Sequence, residues 1–262
     1  MSDAGQDTVV WDAAQRAVVL QYTQDSHNKQ VVSKDLGATW GPAADVVLPA
    51  AVTGAATGPG RGLQLSSTNP VAPGRLLFIG HHGAYVEDYV WYSDDGVHWN
   101  VSRSDLAKMD EAQLVELHDG RVLANMRNNH ANASCACRGI AISADGGASF
   151  GPVSYDPQLP EPVCMASVVA AGGRFYFANP GTVHGRTNGA VRMSPSGLPG
   201  TWVDRQLVVN ANGSYAYSCL TDLPAAPQYV GLLWETNLDR GTCDGDSCNM
   251  VFSLVPTSYF DE

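Results

Sequence analysis

The octapeptide SKDLGATW, residues 33–40, decides the reading of the fold because it returns three times along the chain. It carries Ser, Asp, Gly, Thr and Trp at its first, third, fifth, seventh and eighth positions. SADGGASF (143–150) repeats it, with Ser for Thr and Phe for Trp. YSDDGVHW (92–99) keeps Asp94, Gly96 and Trp99 in register, and SPSGLPGTW (194–202) is a degraded copy with one extra residue. The closing aromatics stand at 40, 99, 150 and 202, at intervals of 59, 51 and 52. Self-similarity at about 50 residues, with one small sheet per unit, is the signature of a β-propeller.

The repeated turn has a mechanical reading. An Asp carboxylate accepts backbone N–H bonds inside a tight hairpin, and Gly supplies a positive φ. The closing aromatic is then expected to bury between neighbouring sheets. The repeated aspartates are therefore read as structural, not as calcium ligands or catalysts.

Between the turns run short apolar segments such as TVVWD, AVVLQYT, RLLFIG, RVLANM, RFYFAN, YVGLLWE and MVFSLV, separated by Gly-rich or Asp-Gly connections. Only SDLAKMDEA (104–112) hints at a helical turn or two. The expectation is an all-β chain, a single propeller domain over 1–262 built of four-stranded blades. Four turns at this spacing correspond to about five blades.

Charge and composition narrow the function. The formal net charge of −11 argues against a nucleic-acid partner, which calls for a basic face. It also repels anions at long range, so an anion site needs its own cluster of arginines. No run of about 18 apolar residues is present to span a membrane. The start, MSDAGQDTVV, lacks the basic and apolar regions of a signal peptide.

Six cysteines stand at 135, 137, 164, 219, 243 and 248. Cys243 and Cys248 are spaced to close a small loop, whereas Cys135 and Cys137, two apart, are not expected to bridge. The spacing is not that of a zinc ribbon. The adjacent His81 and His82 point to opposite faces of a strand, so no metal site is read there. Sequons at Asn100, Asn132 and Asn212 are given no weight.

Five further segments, in order, resemble the sialidase family, and the SKDLGATW turn is similar to that family's Asp-box. GPGRGLQL (58–65) followed by GRLLFIGHHG (74–83) looks like the family's GPG loop and hydrophobic strand. DEAQLVELHDGRVLANMRNNH (110–130) resembles its Glu, short strand, Asp-Gly turn and Asn-x-Arg. GAVRMSPS (189–196), YAYSCLTDL (215–223) and LLWETN (232–237) are similar to later family segments.

The resemblance, which runs from about residue 8 to 256, implies a six-bladed type of propeller. It implies Glu111 as the catalytic glutamate, Tyr217 as the nucleophile, Arg127 and Arg192 as two members of a carboxylate-binding arginine triad, and Glu235 as a support for a triad arginine. The implied activity is retaining hydrolysis of terminal sialic acids from glycoconjugates, with no cofactor.

The residue types suit that chemistry. A sialic acid carries a carboxylate on its anomeric carbon, and a planar guanidinium makes paired, charge-assisted bonds to a carboxylate. That carboxylate would repel an Asp or Glu nucleophile, whereas a neutral phenol avoids the repulsion, as in the tyrosine exception among glycosidases. A phenol titrating near 10 needs a base beside it, the role implied for Glu111.

Each assignment has a plainer competitor. A strand tyrosine is usually packing, and Tyr215, two residues from Tyr217 and so on the same strand face, is the natural alternative. Glu116 is the nearest rival of Glu111. Arg127 and Arg192 compete with surface or ion-pair roles, and Arg121 and Arg186 fit the pattern less well.

The sequence also departs from the family. The Arg-Ile-Pro segment that carries the first triad arginine, and the loop aspartate that acts as general acid, are not found. The pattern is entered near the family's second Asp-box. A second reading therefore stands beside the first, a sialoglycan-binding propeller without turnover. A glycosidase of another Asp-box family would require paired catalytic aspartates, and no such pair is found.

Overall fold

The computed structural model describes residues 4–104, 106–129, 135–237, 243 and 248–261. Its strands fall into five sheets. Asn132 lies outside the described residues.

The first sheet is a meander of β1 (Ala4–Asp12), β2 (Ala17–Gln24), β3 (His27–Ser33) and β4 (Ala44–Asp45). In β2, residues 17, 19 and 21 are buried and their neighbours half-buried, the period of two that a strand imposes. Short strands β5 (Ala56–Thr57), β6 (Gly60–Arg61) and β7 (Leu63–Gln64) follow, of which β6 pairs in parallel with β1. The second sheet is centred on β8 (Leu76–His82) and β9 (Glu87–Ser93), flanked by β5, β7, β10 (Asn100–Val101) and β11 (Leu106–Ala107). The first five residues of β8 are all buried, because this strand is covered on both faces.

The third sheet runs in the order β12 (Met109–Glu116), β13 (Val122–Asn128), β14 (Cys137–Ser143) and β15 (Ser154–Pro160). The segment 106–112 is thus strand and turn where the sequence hinted at helix. It contains the start of MDEAQLV (109–115), which is buried along its length although Asp110, Glu111 and Gln113 are polar, and tertiary burial overrides local propensity there. The fourth sheet is β16 (Ser167–Ala171), β17 (Arg174–Pro180), β18 (Thr187–Ser194) and β19 (Gln206–Ser214). The fifth has three strands, β20 (Ser218–Asp222), β21 (Tyr229–Thr236) and β22 (Asn249–Pro256).

By contact density the chain divides into two compact units, 1–124 with 141–153, and 125–140 with 154–262. The core of the first gathers Val10, Val19, Phe78 and Trp91, and the Trp91 indole N–H donates to Gln21 at 2.8 Å. The core of the second gathers Tyr176, Val191, Tyr215, Leu232 and Trp234 around stacked Tyr215 and Trp234 rings, 5.2 Å apart.

The repeated turns are built as the sequence implies, with two corrections. In the first, the Asp35 carboxylate accepts the Thr39 N–H at 2.8 Å and its hydroxyl at 2.5 Å, while Ser33 Oγ accepts the Gly37 N–H. The bonds from Thr39 and Ser33 hold the Asp35 carboxyl down at about 2. Ser143, Asp145, Gly147 and Ser149 repeat the arrangement.

In the second turn the working carboxylate is Asp95, not Asp94. Asp95 accepts from the Val97 and His98 backbones, and Ser93 Oγ accepts the Gly96 N–H. This turn is one residue shorter between Ser and Gly, which moves the acidic position. Asp94 instead forms a paired bond with Arg75, at 2.7 and 3.0 Å. In the fourth turn Ser196 replaces the aspartate.

The second correction concerns the aromatics. Phe150 and Trp202 are buried, and Trp99 packs edge-on against Phe78, but Trp40 is 42% exposed.

Two disulfides are present. Cys243 and Cys248 are joined, and so are Cys135 and Cys137, against expectation. The bend at residues 135 and 136 brings the latter pair's Cα atoms to 5.3 Å, inside the range a disulfide spans. Among the described residues no helix is long and apolar enough to cross a membrane.

Candidate functional site

Tyr217 lies in a break between strands. Residues 215–217 connect β19 to β20, so the expected shared strand face of Tyr215 and Tyr217 does not form. The two tyrosines part company there. Tyr215 is 0% exposed, packed over Gly189 and Trp234. A Cβ at Gly189 would stand 1.9 Å from the Tyr215 ring, so glycine is what admits it. Burial pushes the Tyr215 phenol far above its ordinary range.

Tyr217 is half-buried, and its surroundings are polar. Its phenol oxygen accepts a hydrogen bond from the Arg127 guanidinium at 3.3 Å. The Arg186 guanidinium stands over its ring, 5.5 Å from the centroid, within cation–π range. Its backbone is clamped by Glu235. The Tyr217 N–H donates to the Glu235 carboxylate at 3.1 Å, and the Glu235 N–H donates to the Tyr217 carbonyl at 2.9 Å.

Arg192 rises from β18 and is 6% exposed. Its guanidinium donates to Asn179 Oδ1 at 3.0 Å, and burial pulls it down to about 10. Asn179 in turn donates to the Pro160 carbonyl at 2.6 Å, which fixes its amide. Four of the five expected residues, Arg127, Arg192, Tyr217 and Glu235, thus belong to the second unit.

Glu111 belongs to the first unit. It is 3% exposed, on β12, and its N–H donates to Asp110 Oδ1, which also meets His81 Nε2 at 3.3 Å. The GPG loop lies against this strand. The Ala112 N–H donates to the Gly58 carbonyl at 2.8 Å, and the Gln113 amide donates to the Pro59 carbonyl at 3.1 Å. A Cβ at Gly58 would approach the Ala112 carbonyl to 2.9 Å, so the close contact requires glycine.

Glu116 is five residues from Glu111 and so on the opposite strand face. Its carboxylate holds a loop, accepting from the Ser66 N–H and hydroxyl and from the Asn69 amide. Arg121 pairs with Asp119 in the adjoining turn. His81 and His82 go to different partners, Asp110 and the Thr53 carbonyl. Glu235 also lies near Cys243 and Cys248, but their sulfurs are joined to each other and offer no thiolates.

Three features escaped the sequence reading. Asn179 gives no local signal, because its role depends on pairing between β17 and β18. Arg186 fits the family pattern less well, yet it stands over the Tyr217 ring. The third is a buried ion pair between Arg138 and Glu161, both 0% exposed. A lone charge inside the apolar strand CRGIAIS is the signal that marks Arg138.

Residues 6–230 match a family model described as a BNR repeat-like domain. The chain belongs to the BNR-repeat sialidase family.

A sialidase of Micromonospora viridifaciens is 34% identical over 226 residues, which is 80% of this chain and 33% of that protein. A sialidase of Bacteroides fragilis is 29% identical over 195 residues, 71% of this chain and 34% of that protein. The chain therefore spans about a third of the length of these relatives. Among solved structures, a Hadza microbial sialidase superposes with a TM-score of 0.74 at 22% identity, covering 98% of this chain and 53% of its own. The intramolecular trans-sialidase of Ruminococcus gnavus gives 0.71 at 21%, covering 92% and 52%. The fold shared with these sialidases is the β-propeller, and the chain's five sheets are its blades.

Proposed function

We propose that this chain carries the nucleophile and two carboxylate-binding arginines of an exo-α-sialidase, acting on terminal sialic acids of glycoconjugates with retention. The observation that carries the reading is the Arg127–Tyr217 bond, with Glu235 clamping the Tyr217 backbone. An arginine beside a phenol favours the phenolate, the form that attacks.

In the proposed reaction the Tyr217 oxygen bonds to the anomeric carbon as the bond to the aglycone oxygen breaks. The family pattern gives the phenolic proton to Glu111, and the departing oxygen takes up a proton from solvent water. A second water then cleaves the tyrosyl–sugar bond, its hydroxyl going to the anomeric carbon and its proton to the tyrosine oxygen, and Glu111 releases its proton to solvent. Arg127 and Arg192 hold the substrate carboxylate, and Glu235 keeps Tyr217 and its surroundings in register. Glu111, Arg127, Arg192 and Glu235 enter with these roles as parts of one proposal. No cofactor takes part.

Incubation with sialyllactose, with Tyr217→Phe as control, tests the reading. Release of sialic acid that disappears in the variant supports it. Saturable binding of sialyllactose by the folded chain without release favours the alternative, a sialoglycan-binding propeller. Neither release nor binding rejects both.

A further inference from the structure

The buried Arg138–Glu161 pair grips β13 on both sides of Arg127. Arg138 Nε donates to Asn125 Oδ1 at 2.7 Å, two residues before Arg127. Glu161 Oε1 accepts the N–H of Asn128, the residue after it, at 2.6 Å. The two gripping side chains pair with each other, and Arg138 also donates to the Cys164 carbonyl at 3.0 Å. The Asn128 amide donates to the Cys137 carbonyl on the neighbouring strand. The positive charge of Arg127 itself acts on the Glu161 carboxyl. Glu161 therefore lies within the field of two arginines and bonds to the backbone of the residue that follows one of them.

A buried ion pair is weak evidence for stability, because desolvation of both charges offsets their attraction. Holding a strand segment in one geometry is the better account of this one. We infer that Arg138 and Glu161 are positioning residues that fix residues 125–128, so that the Arg127 guanidinium meets the Tyr217 phenol. The inference rests on the proposed function for its consequence in substrate binding, but not for the geometry it assigns.

The test uses the whole chain labelled with ¹³C at the tyrosine Cζ atoms, with the Tyr217 resonance identified by its loss in Tyr217→Phe. Arg127→Lys displaces that resonance by altering the bond to the phenol. Glu161→Gln is expected to move it in the same direction, and Arg127→Lys/Glu161→Gln to add little beyond Arg127→Lys alone. Because Glu161→Gln leaves the buried Arg138 charge uncompensated, the pair variant Arg138→Met/Glu161→Gln carries the same expectation without an unpaired charge. A Tyr217 resonance that stays at its wild-type position in the folded pair variant overturns the inference.

A second readout compares binding of N-acetylneuraminic acid with that of its methyl ester. The pair variant should lose about tenfold in preference for the acid, the worth of one charge-assisted hydrogen bond. An unchanged preference also overturns the inference while leaving the sialic-acid reading intact. A displaced resonance in a chain that binds neither ligand supports the positioning role and rejects the sialic-acid reading.

Discussion

Arg127 and Tyr217 are 90 residues apart in sequence, yet the guanidinium of one donates to the phenol oxygen of the other at 3.3 Å. In the proposed reaction this bond favours the phenolate. Lysine keeps the charge but not the planar fork. Arg127→Lys is expected to lower kcat/KM for sialyllactose by roughly 10- to 100-fold, the worth of about one or two such bonds. Steady-state kinetics checks this, and a change below twofold would remove Arg127 from the site.

The two neighbouring tyrosines give opposite expectations. The Tyr215 ring packs over Gly189 and Trp234, and what it contributes is apolar area. Tyr215→Phe keeps that ring and should leave activity within about twofold and the thermal midpoint near wild type. Tyr217→Phe should abolish turnover and leave ligand affinity largely unchanged.

Glu235 acts on the Tyr217 backbone as an acceptor. Glutamine keeps an acceptor oxygen at that place and alanine does not. Glu235→Ala should cost about 1 kcal/mol in urea unfolding and depress turnover, and Glu235→Gln should restore most of the stability. Equal stability of the two variants would show that the clamp contributes nothing.

The pH dependence of folding separates two kinds of carboxylate. Asp35 is held down at about 2 by its bonds from Thr39 and Ser33. Its folded value lies below its ordinary one, so its contribution is present at neutral pH and is lost as pH falls from about 4 through 2. Burial pushes Glu161 the other way, to about 7, against the pull of Arg138. The folded state then keeps this proton where the unfolded chain has released it. The contribution of Glu161 is complete below about 4.5 and is lost as pH rises through 7. Thermal midpoints across pH 4 to 8 should flatten in Glu161→Gln, whose side chain binds no proton in this range. An unaltered slope would mean that Glu161 stays ionised across this range.

The repeated turns were legible because their chemistry is local. Ser, Asp and Gly bond within one loop, so the spacing of a few residues announces the geometry. The reading slipped where a deletion moved the acid from Asp94 to Asp95, since alignment to the aromatic at Trp99 hides a gap between Ser93 and Gly96. It slipped again at Trp40, whose burial depends on what surrounds the turn and not on the turn itself. Tyr217 was legible as a residue and not as a conformation. Its place between two strands follows from the clamp by Glu235, 18 residues later in sequence. Arg138 and Glu161 meet across 23 residues inside the core, and no periodicity foretells that meeting.

The central claim is that the Tyr217 oxygen becomes bonded to the sugar. A sialosyl fluoride bearing fluorine at C3 tests it directly. Fluoride departs without a proton donor, and the C3 fluorine slows breakdown of any covalent intermediate by destabilising its cationic transition state. The chain treated with this reagent, digested and analysed by mass spectrometry, should carry one sialosyl group on the peptide containing Tyr217, with fragmentation placing it on that residue. Absence of an adduct in a folded sample, or an adduct on Tyr215 or on a carboxylate, would contradict the account.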